Sequence, residues 1–386
     1  REISKEESVG GNNIKLTIDI DLQKYASSLL KDKSGSIVTI DVNTGEIIIL
    51  ESSPDFDPNL FTKSISQEEW NELVNNPMSP LVNKSISGEY SPGSTFKLIV
   101  LYSALVNKII KPNSVIHCSS NIEYGGRNFY CWCHKKKTGC WATQSHTRNV
   151  GPELAIAQSC DGFFYELAKR IGIAKIVETA MNFGLGSKSG LNLKGEKGGL
   201  VPNKLWKKKT YKQSWKIGET MITGVGQGFL TTTPIQLAVM TAMIANNGKR
   251  IFPSIYKNID QGNINDNQVF TTQTLYQKKF FSLIKSGMFS AVNKPFGTAY
   301  GSRTTQPVFA GKTGTVQVRT ISKEERELGI IPNKELPIKQ RDHALFVGFA
   351  PYKNPKIALA VVVEHGGSGS KIAAPIAKKI FKKALP

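Results

Sequence analysis

No run of about 18 or more apolar residues occurs in the chain, so it offers no candidate for a membrane-spanning helix. No Gly-x-Ser-x-Gly occurs either, which excludes the nucleophile elbow of α/β-hydrolases. Gly224-Val225-Gly226-Gln227-Gly228 fails the Gly-x-Gly-x-x-Gly spacing and lies outside any βαβ pattern. Tight packing beside an active-site sheet is its expected use. Internal repeats are lacking, and so is an initiating Met or a signal peptide. The chain opens on Arg1-Glu2-Ile3, as expected of a processed chain or a fragment.

Acidic residues are scarce: 30 Asp and Glu stand against 50 Lys and Arg, a net charge of +20. Such a balance suits nucleic acid, an anionic membrane surface or an acidic polymer. Lysine clusters lie at 135–137, 207–209 and 378–383. None combines a nucleic-acid fold signature with interleaved aromatics; Trp206 and Tyr211 come closest. No nucleic-acid partner is therefore expected, and a solvated basic face toward an anionic membrane is. With 386 residues and 40% hydrophobic content, the chain is long enough for a large core.

Periodicity places the elements. Lys15 to Asp19 alternates like a strand, and Asp21 to Leu30 reads as an amphipathic helix capped near Asp19 or Asp21. β-rich runs flank Val42-Asn43-Thr44-Gly45, a hairpin signal. A long helix is expected from Ser94 to Ile109, and another region of helix from Pro152 to Ile171. Thr233 and Pro234 begin a further helix that Gly248 stops. Val308 to Val318 reads as a strand, residues 320–342 as a mobile loop, and His343 to Val363 as a hairpin around Pro351 and Pro355. Lys371 to Ala384 closes the chain as a basic amphipathic helix. Strands at both ends with helices between them give an α+β class, a mainly antiparallel sheet flanked by helices with an all-helical subregion.

Chemistry enters at Ser94-Thr95-Phe96-Lys97, behind the Pro92-Gly93 turn. One helical turn separates Ser94 from Lys97, which puts a hydroxyl and an amine on one face. Ser-x-x-Lys occurs five times, starting at Ser28, Ser94, Ser254, Ser282 and Ser368, so spacing alone selects nothing. Two later motifs select Ser94: Ser159-Cys160-Asp161 before a helical run, and Lys312-Thr313-Gly314-Thr315 within a β-run. Lys137-Thr138-Gly139 lacks strand context and precedes Ser159, so it is set aside.

This ordered set resembles the penicilloyl-serine group. The segments 56–61, 80–84, 224–228, 343–351 and 364–369 extend the resemblance to the transpeptidase domain of class B, elongation-type penicillin-binding proteins (the penicillin-binding protein 2 group). It runs from about Lys15 to the end, which makes 1–14 a linker remnant of a missing pedestal region and 15–386 the transpeptidase domain, with a Cys/His-rich insert at 117–146. The resemblance implies the β-lactamase-like fold and a D,D-transpeptidase that cross-links stem peptides ending in D-Ala-D-Ala, with β-lactams as inhibitors. Ser94 would be the nucleophile, Lys97 a base if neutral beside the Lys312 cation, and Ser159 a proton relay. The N–H groups of Ser94 and Thr315 would hold the oxyanion, while Thr313, Gly314 and Thr315 receive the terminal carboxylate. Asp161 stands where many relatives carry Asn, and an ionised Asp cannot donate the amide hydrogen bond. His343 and His365 are read as structural. The full protein would sit on an inner-membrane anchor with its domain in the periplasm, beside a SEDS-class glycan polymerase and rod-complex scaffolds. No organic cofactor is implied.

The five cysteines, Cys118, Cys131, Cys133, Cys140 and Cys160, crowd together with His117, His134 and His146. Zinc, disulfides and free thiols are all compatible with that crowding. By resemblance, Cys118, Cys131, His146 and Cys160 fit a structural zinc set, and Cys133 to Trp141 looks inserted. Rival readings are a D,D-carboxypeptidase or serine β-lactamase, in which water resolves the acyl-enzyme, and a non-enzymatic, zinc-bearing basic binding module.

Overall fold

The computed structural model describes residues 10–11, 13–62, 64–119, 121–132, 149–257, 278–322, 325 and 330–385. Five strands form one sheet: β1 (Gly35–Asp41), β2 (Ile47–Ser53), β7 (Ala310–Val316), β8 (His343–Ala350) and β9 (Ile357–Val363). Their spatial order is β2-β1-β9-β8-β7, antiparallel throughout. Two small two-stranded sheets accompany it, β3 (Ile116–His117) with β6 (Asn149–Val150), and β4 (Asn121–Tyr124) with β5 (Arg127–Tyr130).

Continuous apolar runs mark strands covered on both faces. Every residue of β9 is buried, and every residue of β8 except half-buried His343. Alternation then sorts the side chains. Ala358, Ala360 and Val362 face one core with the helices Lys97–Val106, Asp161–Ile171 and Pro234–Ala245. Leu359, Val361 and Val363 face a second core with Leu22, Ala26 and Leu30 of the helix Ile20–Leu30, and with Ile376, Ile380 and Phe381 of the helix Ala374–Ala384. The expected α+β architecture is therefore a sheet between a pair of terminal helices and a larger helical region. Pro234–Ala245 is buried at every position, which is how a helix apolar all round must be used. Thr233 caps it, with Pro234 at its first turn.

Four expected elements come out differently. Lys15 to Asp19 is no strand: among the described residues it forms a single bridge, Leu16 to Tyr256, and Ile14 and Leu16 stay exposed. The helix expected from Ser94 begins as a 3-10 turn, Gly93–Thr95, is α-helical over Lys97–Val106, and ends before Lys108, which takes a left-handed φ of 56°. Pro152 to Ile171 is two helices, Pro152–Ala157 and Asp161–Ile171, broken where Ser159 adopts a φ of 56°. Within 320–342, the described part is ordered by two short 3-10 turns and by Asn333, whose amide donates to Asp342 Oδ2 at 3.0 Å.

Where β8 begins and β9 ends, a buried polar knot forms. Tyr90 Oη donates to Glu364 Oε1 at 2.7 Å, and the His365 N–H donates to His343 Nδ1 at 3.0 Å. Both histidines are held in this knot by each other. Burial, together with the neighbouring His365, pushes the His343 pKa down to about 4 against the opposing pull of Glu364. Between pH 6.5 and 4 the unfolded chain binds the proton that the folded chain refuses, so this contribution is intact above 6.5 and lost as pH falls toward 4. Thermal melts of the wild type minus His343→Gln should show a loss of about 2–3 kcal/mol across that window, and a flat difference would remove the assignment.

Candidate active site

The turn that carries Ser94 is held from behind. Gly93, at a φ of 53°, donates its N–H to the Gly226 carbonyl at 2.8 Å. A Cβ on Gly226 would stand 2.0 Å from the Gly93 oxygen, and Gly226 itself has a φ of 75°. Only glycine permits this approach. The glycine cluster therefore packs on the Ser94 turn rather than on the sheet, a refinement of the expected role. In front, a Cβ on Gly93 would lie 2.9 Å from Val316 Cγ2 and 3.4 Å from the Thr315 oxygen. A Cβ on Gly314 would meet the Pro92 oxygen and Thr95 Cγ2, each at 3.3 Å. The turn bearing Ser94 is thus seated against the Gly314–Val316 end of β7, an edge strand of the sheet.

Lys97, the first α-helical residue, is fully buried. Its three donors are all used: Nζ donates to the Ser159 carbonyl at 3.0 Å, to Ser159 Oγ at 3.1 Å and to Asp161 Oδ1 at 2.5 Å. Asp161 Oδ2 accepts the Trp132 N–H at 3.1 Å, and the Trp132 indole donates to the Gln158 carbonyl at 3.1 Å. Burial raises the Asp161 pKa while Lys97 pulls it down. The contact with Nζ makes Asp161 the carboxyl partner of Lys97, a place that an Asn could fill in shape but not in charge.

Lys312 on β7 is also fully buried, with one hydrogen bond among the described residues, from Nζ to the Thr313 carbonyl at 3.1 Å. Burial first, and then the Lys97 charge, hold its amine well below the ordinary lysine range; Asp161 opposes. The expectation was a Lys312 cation acting on Lys97. The structure reverses that emphasis, because the carboxylate sits on Lys97 and Lys312 has none. Thr313 Oγ1 donates to Thr298 Oγ1 at 3.0 Å, and Thr315 Oγ1 accepts the Gly369 N–H at 3.3 Å. Thr298 carried no motif that would have announced it, and although Gly369 ends the 364–369 segment and Trp132 follows Cys131, nothing in the sequence marked their N–H groups.

Behind Ser159, the thiols of Cys118, Cys131 and Cys160 converge, all buried, with their sulfurs within 4.8 Å of one another. No disulfide joins any of these three to another. Hydrogen bonds from Cys118 and then Cys131 push the Cys160 thiol well up. Tetrahedral Zn–S bonds of about 2.3 Å put sulfurs about 3.8 Å apart, so this donor set fits a soft divalent ion. His146, Cys133, Cys140 and the Lys137-Thr138-Gly139 decoy lie outside the described residues.

A serine ahead of a buried helix, two buried amines and a second hydroxyl beside an open sheet edge define the active-site-serine class of acyl-transfer fold. Residues 35–382 match the family model described as the penicillin binding protein transpeptidase domain. The peptidoglycan D,D-transpeptidase MrdA of Acinetobacter baumannii is 36% identical over 97% of this chain. The chain spans a little over half of that relative, 55% of its length. Among solved structures, Pseudomonas aeruginosa PBP2 in complex with WCK 5153 superposes with a TM-score of 0.83 at 36% identity, covering 96% of this chain and 78% of that one. Helicobacter pylori PBP2 in complex with MreC gives 0.82 at 33%, covering 96% and 63%. The chain belongs to the penicillin-binding protein transpeptidase family, in its class B, penicillin-binding protein 2 branch.

Two substitutions probe the geometry. Gly226→Ala should destabilise the chain by at least about 2 kcal/mol in denaturant melts, since a clash with backbone and a left-handed φ coincide. Asp161→Asn, which keeps the shape and removes the charge, should cost about 1–3 kcal/mol and slow acylation of Ser94. Unchanged melting and unchanged acylation would detach Asp161 from the Lys97 charge.

Proposed function

We propose that this chain is the catalytic domain of a peptidoglycan D,D-transpeptidase of the cell-elongation type. The observation that carries the reading is the seating of the Ser94 turn against the β7 edge, with the amine of Lys97 bound to Ser159 and Asp161 beside it. A stem peptide ending in D-Ala-D-Ala adds along the free edge of β7 as an extra strand. Thr313, Gly314 and Thr315 receive its terminal carboxylate, and buried Lys312 supplies the neighbouring amine.

Ser94 Oγ attacks the penultimate D-Ala carbonyl. Its proton passes to the lysine pair, and the N–H groups of Ser94 and Thr315 take the oxyanion. The C–N bond to the terminal D-Ala then breaks. Ser159 Oγ already accepts from Lys97, so it passes its own proton to the departing amine while taking one from Lys97, and the proton delivered by Ser94 restores the lysine pair. An amine of a second stem peptide attacks the ester, forms the cross-link and returns the proton to Ser94. β-Lactams enter the same path and stop at the acyl-enzyme.

Zinc is the second part of the proposal. Cys118, Cys131 and Cys160 would hold it, with His146 as fourth ligand by resemblance. When bound, it supplies a structural tie between the insert and the loop that carries Ser159. The tie acts through chain connectivity, since Cys160 sits between Ser159 and Asp161. In the full-length protein the domain would face the periplasm from an inner-membrane anchor, beside a SEDS-class glycan polymerase and rod-complex scaffolds. The Helicobacter pylori relative's complex with MreC supports the scaffold.

Labelled penicillin should give one stoichiometric adduct that peptide mapping places on Ser94, with none on Ser94→Ala. Rapid turnover of the drug would assign a β-lactamase instead, and absence of the adduct would remove the reading. Metal analysis of purified protein should return about one equivalent of zinc, falling in Cys131→Ser; less than about a tenth of an equivalent with oxidised thiols would exclude the metal.

A further inference from the structure

One surface outside the catalytic motifs joins aromatic rings to an excess of positive charge. The helix Lys204–Tyr211 leaves Lys208 and Lys209 exposed, and Lys212 follows in a left-handed cap. Lys207 instead turns inward. Its Nζ donates to the Ser214 carbonyl at 3.1 Å and pairs with Glu219, which folds the following loop back onto the helix. Trp206 and Tyr211 of this helix meet Phe229 from a different segment. The ring centroids lie 5.6 Å apart for Trp206–Tyr211 and 5.2 Å for each ring to Phe229. Trp206 and Phe229 are half-buried, while Tyr211 is 47% exposed. A packed aromatic trio is ordinarily core material, and its placement at the surface is the feature to be explained.

Its position narrows the choice. Phe229 lies between Gly226, which accepts the Gly93 N–H, and Thr232, which exchanges hydrogen bonds with Tyr90 at 2.9 and 2.8 Å. The 226–232 segment therefore runs beside the chain that leads into Ser94. Three residues span at most about 11 Å, so the Phe229 backbone lies within that distance of the Gly226 backbone that holds the nucleophile's turn.

We propose that Trp206, Tyr211 and Phe229, with Lys208, Lys209 and Lys212, form a subsite for the sugar-bearing, anionic strand whose stem peptide reaches Ser94. The inference rests on the function proposed above and names a second place where that substrate is held. Faces of pyranose rings carry C–H groups that pack on aromatic planes, and rigid aromatics order at little entropic cost. Lysines on flexible stems suit the scattered carboxylates of stem peptides. An anionic membrane satisfies the charge, but it gives no reason for the trio to be pinned beside the catalytic turn.

Soluble, un-cross-linked glycan strands carrying pentapeptides, titrated calorimetrically into the chain, test the subsite. Binding is expected to persist after penicillin has acylated Ser94. It should weaken at least about tenfold in Tyr211→Ala and again in the Lys208→Glu, Lys209→Glu double variant, both changes at exposed positions. Strand binding unaltered in both variants, or abolished by acylation, overturns the proposal. A loss confined to phosphatidylglycerol vesicles, with strand binding intact, also overturns it and assigns the patch to a membrane. A missing penicillin adduct on Ser94 counts against the reaction and not against the subsite, so the two failures are separable.

Discussion

The buried ammonium of Lys97 is the constraint on which the site depends. Taking an amine out of water costs several kcal/mol unless each donor finds a partner. Here all three partners come from Ser159 and Asp161, residues two apart in sequence. A straight helix cannot present a carbonyl, a hydroxyl and a carboxylate from one such short stretch to one point. The left-handed φ of Ser159 bends the chain so that it can. That kink is why the helical region breaks between Ala157 and Asp161. Burial first, and the Lys97 amine beside it second, then hold the Lys312 amine well below the ordinary lysine range.

Around that contact the fold supplies rigidity from two directions. Glycine meets glycine behind Ser94, where Gly93 and Gly226 touch at backbone distance. In front, β7 is the last strand of a sheet whose central strands β8 and β9 are covered on both faces, so its outer edge is a fixed rail. The three thiols add a third support. Cys160 sits between Ser159 and Asp161 in the chain, and its buried sulfur draws Cys118 and Cys131 to the back of the same loop. A mobile loop there would cost the alignment of both Lys97 partners.

Much of this was legible beforehand. Period and capping located the helices at Ile20–Leu30 and Pro234–Ala245, and the β-rich runs around Pro351 and Pro355 announced β8 and β9 as a hairpin. The three motifs named Ser94, Lys97, Ser159, Asp161 and Lys312 because type and order survive in sequence. Lys15 to Asp19 misled because alternation records a face and not a partner, and there the partner is one residue long. Thr298 was invisible, and so were the contacts of Trp132 and Gly369, because these two act through backbone N–H groups, which every residue but proline possesses.

The sequence by itself determined the α+β class, the family, the candidate serine and the residues able to ionise around it. Those depend on side-chain chemistry, order and local period, which one dimension carries. Only the tertiary structure decided which amine owns the carboxylate, which is pushed toward neutrality, and that three cysteines drawn from two sides of an insert share one pocket. Burial and pairing depend on what lies across space, and a folded chain sets those distances through residues far apart along its length.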